Sequence, residues 1–167
     1  MEFTTIRSIS PDDTDALIAL ADSIELFSSD ELEQLRQMLA DSLSQDGDSA
    51  PFWVTDDDGG LMGLAYCEPE RMTSGTWNLQ LIAVRPTHQR QGRGGKLLGF
   101  VERTLTDRGA RILLVETMGT PEFEYVRTFY RQHGYSEEAR IRDFYAEGAD
   151  KIVFRKALLS PLLKSRY

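Results

Sequence analysis

A single cysteine, Cys67, excludes an internal disulfide, and no stretch approaches the ~20 consecutive apolar residues of a membrane-spanning helix. The first thirty residues also lack a basic segment followed by an apolar run and a cleavage site, so the chain reads as cytoplasmic with no membrane partner. No histidine is evident beside Cys67 to lower its pKa, which makes it a small strand residue rather than a nucleophile. The two histidines, His88 and His133, are far apart and lack companion ligands, so no metal is expected. Positive charge is scarce at the beginning: residues 1–60 hold fifteen acids against Arg7 and Arg36, a net of -13. The overall charge of -8 therefore leaves twelve acids and seventeen bases in the remainder, a net of +5. A negative total would discourage a phosphate-bearing ligand, but the stretch from Arg85 to Lys96 carries four bases and no acid. Those bases are not interleaved with aromatics on a recognisable module, which argues against a nucleic-acid partner.

At 167 residues, 41% hydrophobic and 28% charged, the chain has the length and composition of one folded domain, 1–167. Its core is expected over about 3–157, with a peripheral tail at 158–167. Phe3 to Ile9 reads as a short strand, and Ser10-Pro11-Asp12-Asp13 opens a helix through its N-cap, first-turn proline and acids. Ser28 and Glu31 have capping-box spacing before a second helix with Leu32, Leu35, Leu39 and Leu43 on one face. Phe52 to Thr55 and Leu61 to Glu68 form a hairpin around Asp56-Asp57-Asp58-Gly59-Gly60, where the spacing of a calcium loop is missing. Trp77 to Val84 follows as a strand apolar in its last four residues. A helix over Gly92 to Arg108, a strand over Ile112 to Val115 and a helix opened by Thr120-Pro121-Glu122 come next. Two strands, Tyr135 to Arg142 and Lys151 to Ala157, flank an irregular stretch from Asp143 to Asp150. The pattern is α/β, with helices packed on a sheet.

The most informative segment runs from Leu81 to Leu98. A strand passes into a glycine-bearing loop that opens a helix, and such a loop collects unpaired N–H groups beside the positive end of the helix dipole. A phosphate-binding Walker loop fails at Leu97 and Arg90, and a dinucleotide fingerprint fails at Leu97. What fits is Gln89-Arg90-Gln91-Gly92-Arg93-Gly94, a Gln/Arg-x-x-Gly-x-Gly/Ala pattern. This resembles the coenzyme A pyrophosphate loop of the GNAT family of N-acetyltransferases. Ile82-Ala83-Val84-Arg85-Pro86 is similar to that family's fourth strand and its exit, and Phe129-Tyr130-Arg131-Gln132-His133-Gly134-Tyr135 is similar to its Leu-Tyr-x-x-x-Gly-Phe segment. The order of elements also agrees, over about residues 3 to 157.

The resemblance implies a mixed, mostly antiparallel sheet of about seven strands, with helices on both faces and a splay between strands 4 and 5. It implies acetyl-CoA as co-substrate, with its phosphates on Gln89, Arg90, Gln91, Gly92, Arg93, Gly94, Gly95 and Lys96. The pantetheine arm and thioester carbonyl would lie along Ile82, Ala83 and Val84. Tyr130 matches the family's general acid, its other reading being a core aromatic. For the base, Glu116 at the end of its strand competes with Glu68 and with water. Phe123 and Val126 stand where many members carry Asn and Ala, so a contact to the cofactor arm departs from the pattern. The implied activity is acetyl transfer to a primary amine by direct attack in a ternary complex. The alternative is a non-catalytic acyl-CoA sensor or interaction module, which has no need of Tyr130. The acidic first half, which solubility would equally explain, and the pair Phe144-Tyr145, which reads equally as a plain turn, suggest a cationic acceptor, and family members often form homodimers.

Overall fold

The computed structural model describes residues 5–158; Phe3 and Thr4 of the first expected strand and nearly all of the expected tail lie outside the described residues. Seven strands form one sheet in the order β1-β2-β3-β4-β5-β7-β6. They are β1 (Ile6–Ser8), β2 (Phe52–Asp57), β3 (Leu61–Pro69), β4 (Thr76–Val84), β5 (Ile112–Met118), β6 (Ser136–Ala146) and β7 (Ala149–Ala157). Among the described residues four α-helices accompany them, α1 (Thr14–Ser23), α2 (Ser29–Leu43), α3 (Arg93–Asp107) and α4 (Glu124–Gln132). The described residues form two compact units, 5–68 with 81–104 and 69–80 with 105–158.

In the first unit β1 pairs antiparallel with β2, and β2 with β3. The hairpin turn is tighter than expected. Gly59 and Gly60 take positive φ, and the Asp58 N–H donates to the Gly60 carbonyl at 3.0 Å. Asp56 and Asp57 stay in β2, because the Asp57 N–H is taken by the Thr5 carbonyl at 3.0 Å and continues the ladder. Ser28 and Glu31 form the expected reciprocal cap of α2, at 2.7 and 3.3 Å. Leu17, Leu20 and Ala21 of α1 and Leu35 and Leu39 of α2 pack with Trp53, Leu61, Leu64 and Tyr66. Strand alternation places Gly63 on the face opposite Leu64. There a Cβ on Gly63 would stand 2.8 Å from Leu97 of α3 and 3.1 Å from the Ala83 carbonyl, so helices cover both faces of this part of the sheet.

In the second unit the first half of β4 runs parallel to β5, from Thr76 opposite Ile112 to Leu79 opposite Val115. The antiparallel pair β5–β7 then extends from Ile112 opposite Ala157 to Met118 opposite Lys151. β5 is longer than its apolar run. Its burial alternates through Glu116 and Thr117, so Glu116 lies within the strand rather than at its end. The irregularity expected from Asp143 is present but lies partly within β6: its pairing with β7 breaks between Ile141 and Ala146, Asp143 takes φ of 53°, and Ala146 then pairs with Ala149 across a turn at Gly148. The Asp143 carboxylate closes this turn by accepting the Gly148 N–H at 2.8 Å. A 3-10 turn, Pro121–Phe123, precedes α4, and buried Arg127 donates to the Met118 and Thr120 carbonyls at 2.6 and 2.9 Å.

Two outcomes test this packing. Gly63→Ala should lower stability by about 1–3 kcal/mol in urea titration, because Leu97 is fully buried and the Ala83 carbonyl is backbone; an unchanged midpoint would show that this contact yields freely. Arg7 bridges Asp13 and Asp57 at 2.8 and 2.9 Å, and its hydrogen bonds draw the Asp13 carboxyl down to about 2. A depressed carboxyl contributes fully above its unfolded pKa of about 4 and loses that contribution as pH falls through its folded value. Asp13→Asn should therefore cost more stability near pH 7 than near pH 2, as read from unfolding midpoints at the two pH values.

Candidate active site

The loop after β4 is held at both ends. The Arg85 N–H donates to the Met62 carbonyl at 2.7 Å, and its guanidinium reaches the Leu61 carbonyl at 3.2 Å. After a 3-10 turn at Pro86–His88, the Gln89 side-chain amide returns to the Val84 carbonyl at 3.0 Å. Arg90 and Gly92 then both take left-handed backbone, with φ of 62° and 77°. For a residue with a Cβ this costs roughly 1–2 kcal/mol, strain of the kind that collects at binding loops. The first turn of α3 closes with the Lys96 N–H on the Gly92 carbonyl at 3.1 Å. The N–H groups of Arg93, Gly94 and Gly95 precede that bond and point out of the helix start, beside the positive end of its dipole. This is a backbone anion cradle.

The guanidinium of Arg93 serves a different purpose from its backbone. It meets Asp56 at 2.8 Å and Asp58 at 2.7 Å, tying the first residue of α3 to the β2–β3 hairpin. The Asp56 side chain is only 3% exposed and also accepts a hydrogen bond from the Thr5 hydroxyl. The bonds from Asp58 and then Asp56 raise the Arg93 pKa further, so it is a fixed cation. A cavity of about 670 Å³ opens beside the loop, lined by Gln91, Gly92, Gly95 and Lys96 on one side and Asp56 and Asp58 on another. Ile82, Ala83 and Val84 are half-buried in the last part of β4.

Tyr130 and Glu116 belong to the second unit. Tyr130, on the last turn of α4, is 3% exposed, with its ring edge-on to Phe129 and Tyr135 at 5.2 and 5.5 Å and tilted against Phe154 at 5.9 Å. Its orientation is therefore fixed by packing. Glu116 divides its two oxygens: Oε2 meets the Lys151 ammonium at 2.9 Å, and Oε1 accepts from the Asn78 amide at 3.4 Å. The same Asn78 nitrogen donates to Glu70 at 2.9 Å. The Lys151 ammonium lies 3.8 Å from the ring centre of Phe144, which meets Tyr145 edge to face at 5.0 Å. Burial and then the charge of Glu116 raise the Tyr145 hydroxyl pKa. Glu68, the competing base, is in the first unit, where it accepts from the Tyr66 hydroxyl at 3.0 Å. Burial first and this bond second push Tyr66 up to about 12.

Among the described residues no group of three or more His, Cys, Asp or Glu is placed to hold a metal ion, and no helix is long and apolar enough to cross a membrane. The family model of the acetyltransferase (GNAT) domain matches residues 48–137, more than half of the chain. The chain belongs to the GNAT family of acetyltransferases. A GNAT-assigned protein from Desulfovibrio desulfuricans is similar at 29% identity and a TM-score of 0.87, covering 94% of this chain and 100% of its own. The ribosomal-protein-S18-alanine N-acetyltransferase of Escherichia coli shares the fold at 23% identity and a TM-score of 0.73, over 93% of this chain and 94% of its own. A Salmonella typhimurium protein solved with its cofactor acetyl-CoA shares it at 16% and 0.70, over 95% and 96%. No curated protein matches the sequence.

In this GNAT acetyltransferase, four residues have roles that the sequence does not indicate: Asp56 as the partner of Arg93 in the first unit, and Glu70, Asn78 and Lys151 around Glu116 in the second. The aspartate run reads as a solvated turn until β2 is seen to continue through Asp57. Asn78, within an apolar strand, is the one local signal, since an interior amide requires partners. Asp56→Asn should leave Arg93 with its second carboxylate alone. A loss of about 1–3 kcal/mol is expected by urea titration, and an unchanged midpoint would remove the clamp from the account of loop stability.

Proposed function

We propose that this acetyltransferase moves the acetyl group of acetyl-CoA to a primary amine, by direct attack within a ternary complex. The turn from β4 into α3 carries this reading, because Arg90 and Gly92 are left-handed ahead of the N–H groups of Arg93, Gly94 and Gly95. A pyrophosphate supplies the negative charge that such a cradle stabilises. Gln89, Arg90, Gln91, Gly92 and Lys96 complete the loop, while the guanidinium of Arg93 stays with its aspartates. Ile82, Ala83 and Val84 take the pantetheine arm, and a backbone N–H there stabilises charge on the thioester oxygen.

An alkylammonium has a pKa of about 10.4, so the acceptor nitrogen loses a proton before it attacks. Glu116 is the preferred base, directly or through water, with Glu68 as its competitor; each carboxylate already has a partner, the Lys151 ammonium for Glu116 and the Tyr66 hydroxyl for Glu68. The C–N bond forms, the attacking nitrogen gives up its second proton to water, from which Tyr130 is afterwards reprotonated, and the C–S bond breaks. The departing thiolate, with an intrinsic pKa of about 8.5, receives its proton from Tyr130. Phe129, Tyr135 and Phe154 hold that ring in one orientation, which a proton donor requires.

Thiol release from acetyl-CoA over a panel of primary amines tests the reaction. Acetyl-CoA at a hundred times its Kd should stabilise the fold by about 2.7 kcal/mol, seen as a rise in Tm; no shift at millimolar concentration counts against the reading. Tyr130→Phe keeps the packed ring and removes the hydroxyl. Turnover should fall by about 100-fold or more with little change in KM for acetyl-CoA, and equal turnover would take Tyr130 out of the mechanism.

A further inference from the structure

Glu116, the preferred base, already carries a primary ammonium. Its Oε2 accepts from Lys151 at 2.9 Å, and the Lys151 side chain is only 12% exposed. The two residues reach each other from neighbouring strands: Met118 of β5 pairs with Lys151 of β7, and strand alternation puts Glu116 on the same face as Met118. The ammonium also rests 3.8 Å from the Phe144 ring centre, so it is seated on a carboxylate and an aromatic face at once. In the acetyl-transfer reaction an acceptor amine takes that position, because the base removes a proton from an ammonium before the nitrogen attacks. Of the other lysines among the described residues, Lys156 donates to the His133 carbonyl at 2.9 Å and Lys96 lies in the first turn of α3. Lys151 is the lysine whose nitrogen is bonded to the base.

We propose that Lys151 is a site of self-acetylation, modified from acetyl-CoA by the groups that serve free amines. The proposal rests on the acetyl-transfer reading and adds an acceptor that is part of the chain. Glu116 takes one proton from the Lys151 ammonium, and the electron pair so freed attacks the thioester carbonyl. The C–N bond forms, the nitrogen gives its second proton to water, and the C–S bond breaks with its electrons on sulfur. The thiolate receives a proton from Tyr130, which recovers it from water, while Glu116 returns its own to solvent. The products are acetylated Lys151, coenzyme A thiol and one released proton. This acceptor needs no binding step, since the fold already holds it against the base. Its amide product carries no charge, so Glu116 loses its cation and is left to serve an amine from solution.

The test incubates the natural protein with acetyl-CoA and no added amine, and maps its lysines by peptide mass spectrometry. Lys151 should gain an acetyl group, with thiol release stopping at a single turnover and a rate per chain that does not depend on protein concentration. Uncatalysed acetylation follows exposure and would mark the exposed Lys96 before Lys151. Glu116→Gln should slow the modification of Lys151 by about 100-fold or more. Lys151→Arg keeps a cation on Glu116 and should abolish thiol release in the absence of amine. Acetylation of Lys151 no faster than that of Lys96, or unchanged in Glu116→Gln, overturns the proposal. Free amines acetylated while Lys151 stays unmodified also overturn it, and leave acetyl transfer standing. Lys151 modified with no thiol release for any added amine would leave the proposal standing and overturn transfer to free amines. Absence of both reactions overturns the two together.

Discussion

The contact between Arg93 and Asp56 is the constraint on which the loop depends. A carboxylate as buried as Asp56 is costly without a cation, and the cation supplied is the first residue of α3. One ion pair therefore stabilises the hairpin charge and fixes where the helix begins. Its consequence for chemistry is a division of labour within a residue. The guanidinium is spent on structure, while the backbone N–H of the same residue stays in the row facing the loop, with those of Gly94 and Gly95. Anion binding by oriented peptide groups needs no mobile side chain, and so little is left to reorganise when the ligand arrives.

The second unit applies the same physics to the opposite charge. Asn78 lies in a strand that is otherwise apolar around it, and it draws together carboxylates from the β3–β4 connection and from β5. β7 contributes Lys151, and the end of β6 contributes the aromatic rim. The chain's net charge of -8 conceals both arrangements, since each depends on a few charges in one place and not on the sum.

Where local chemistry dictates conformation, the sequence was legible. Ser28 with Glu31, the apolar spacing of Leu35 and Leu39, and Gly59-Gly60 each act within a few residues, and each appears in the structure as its chemistry requires. The misjudged boundaries share a different cause. β5 continues through Glu116 because β7 offers Val153 as its partner there, and a strand's length is set by its partner as much as by its own residues. Asp56 was read as turn for the same reason.

The residues from Gln89 to Lys96 determined by themselves that a glycine turn with unpaired N–H groups would open a helix. Glycine's freedom in φ and the unpaired N–H groups of a first turn are properties of adjacent residues. Tertiary structure alone decided that Arg93 belongs to Asp56 and Asp58, and that Glu116 meets Lys151 and Asn78. Those partners are distant in sequence, and an ion pair depends on separation in space, which only the packed sheet sets.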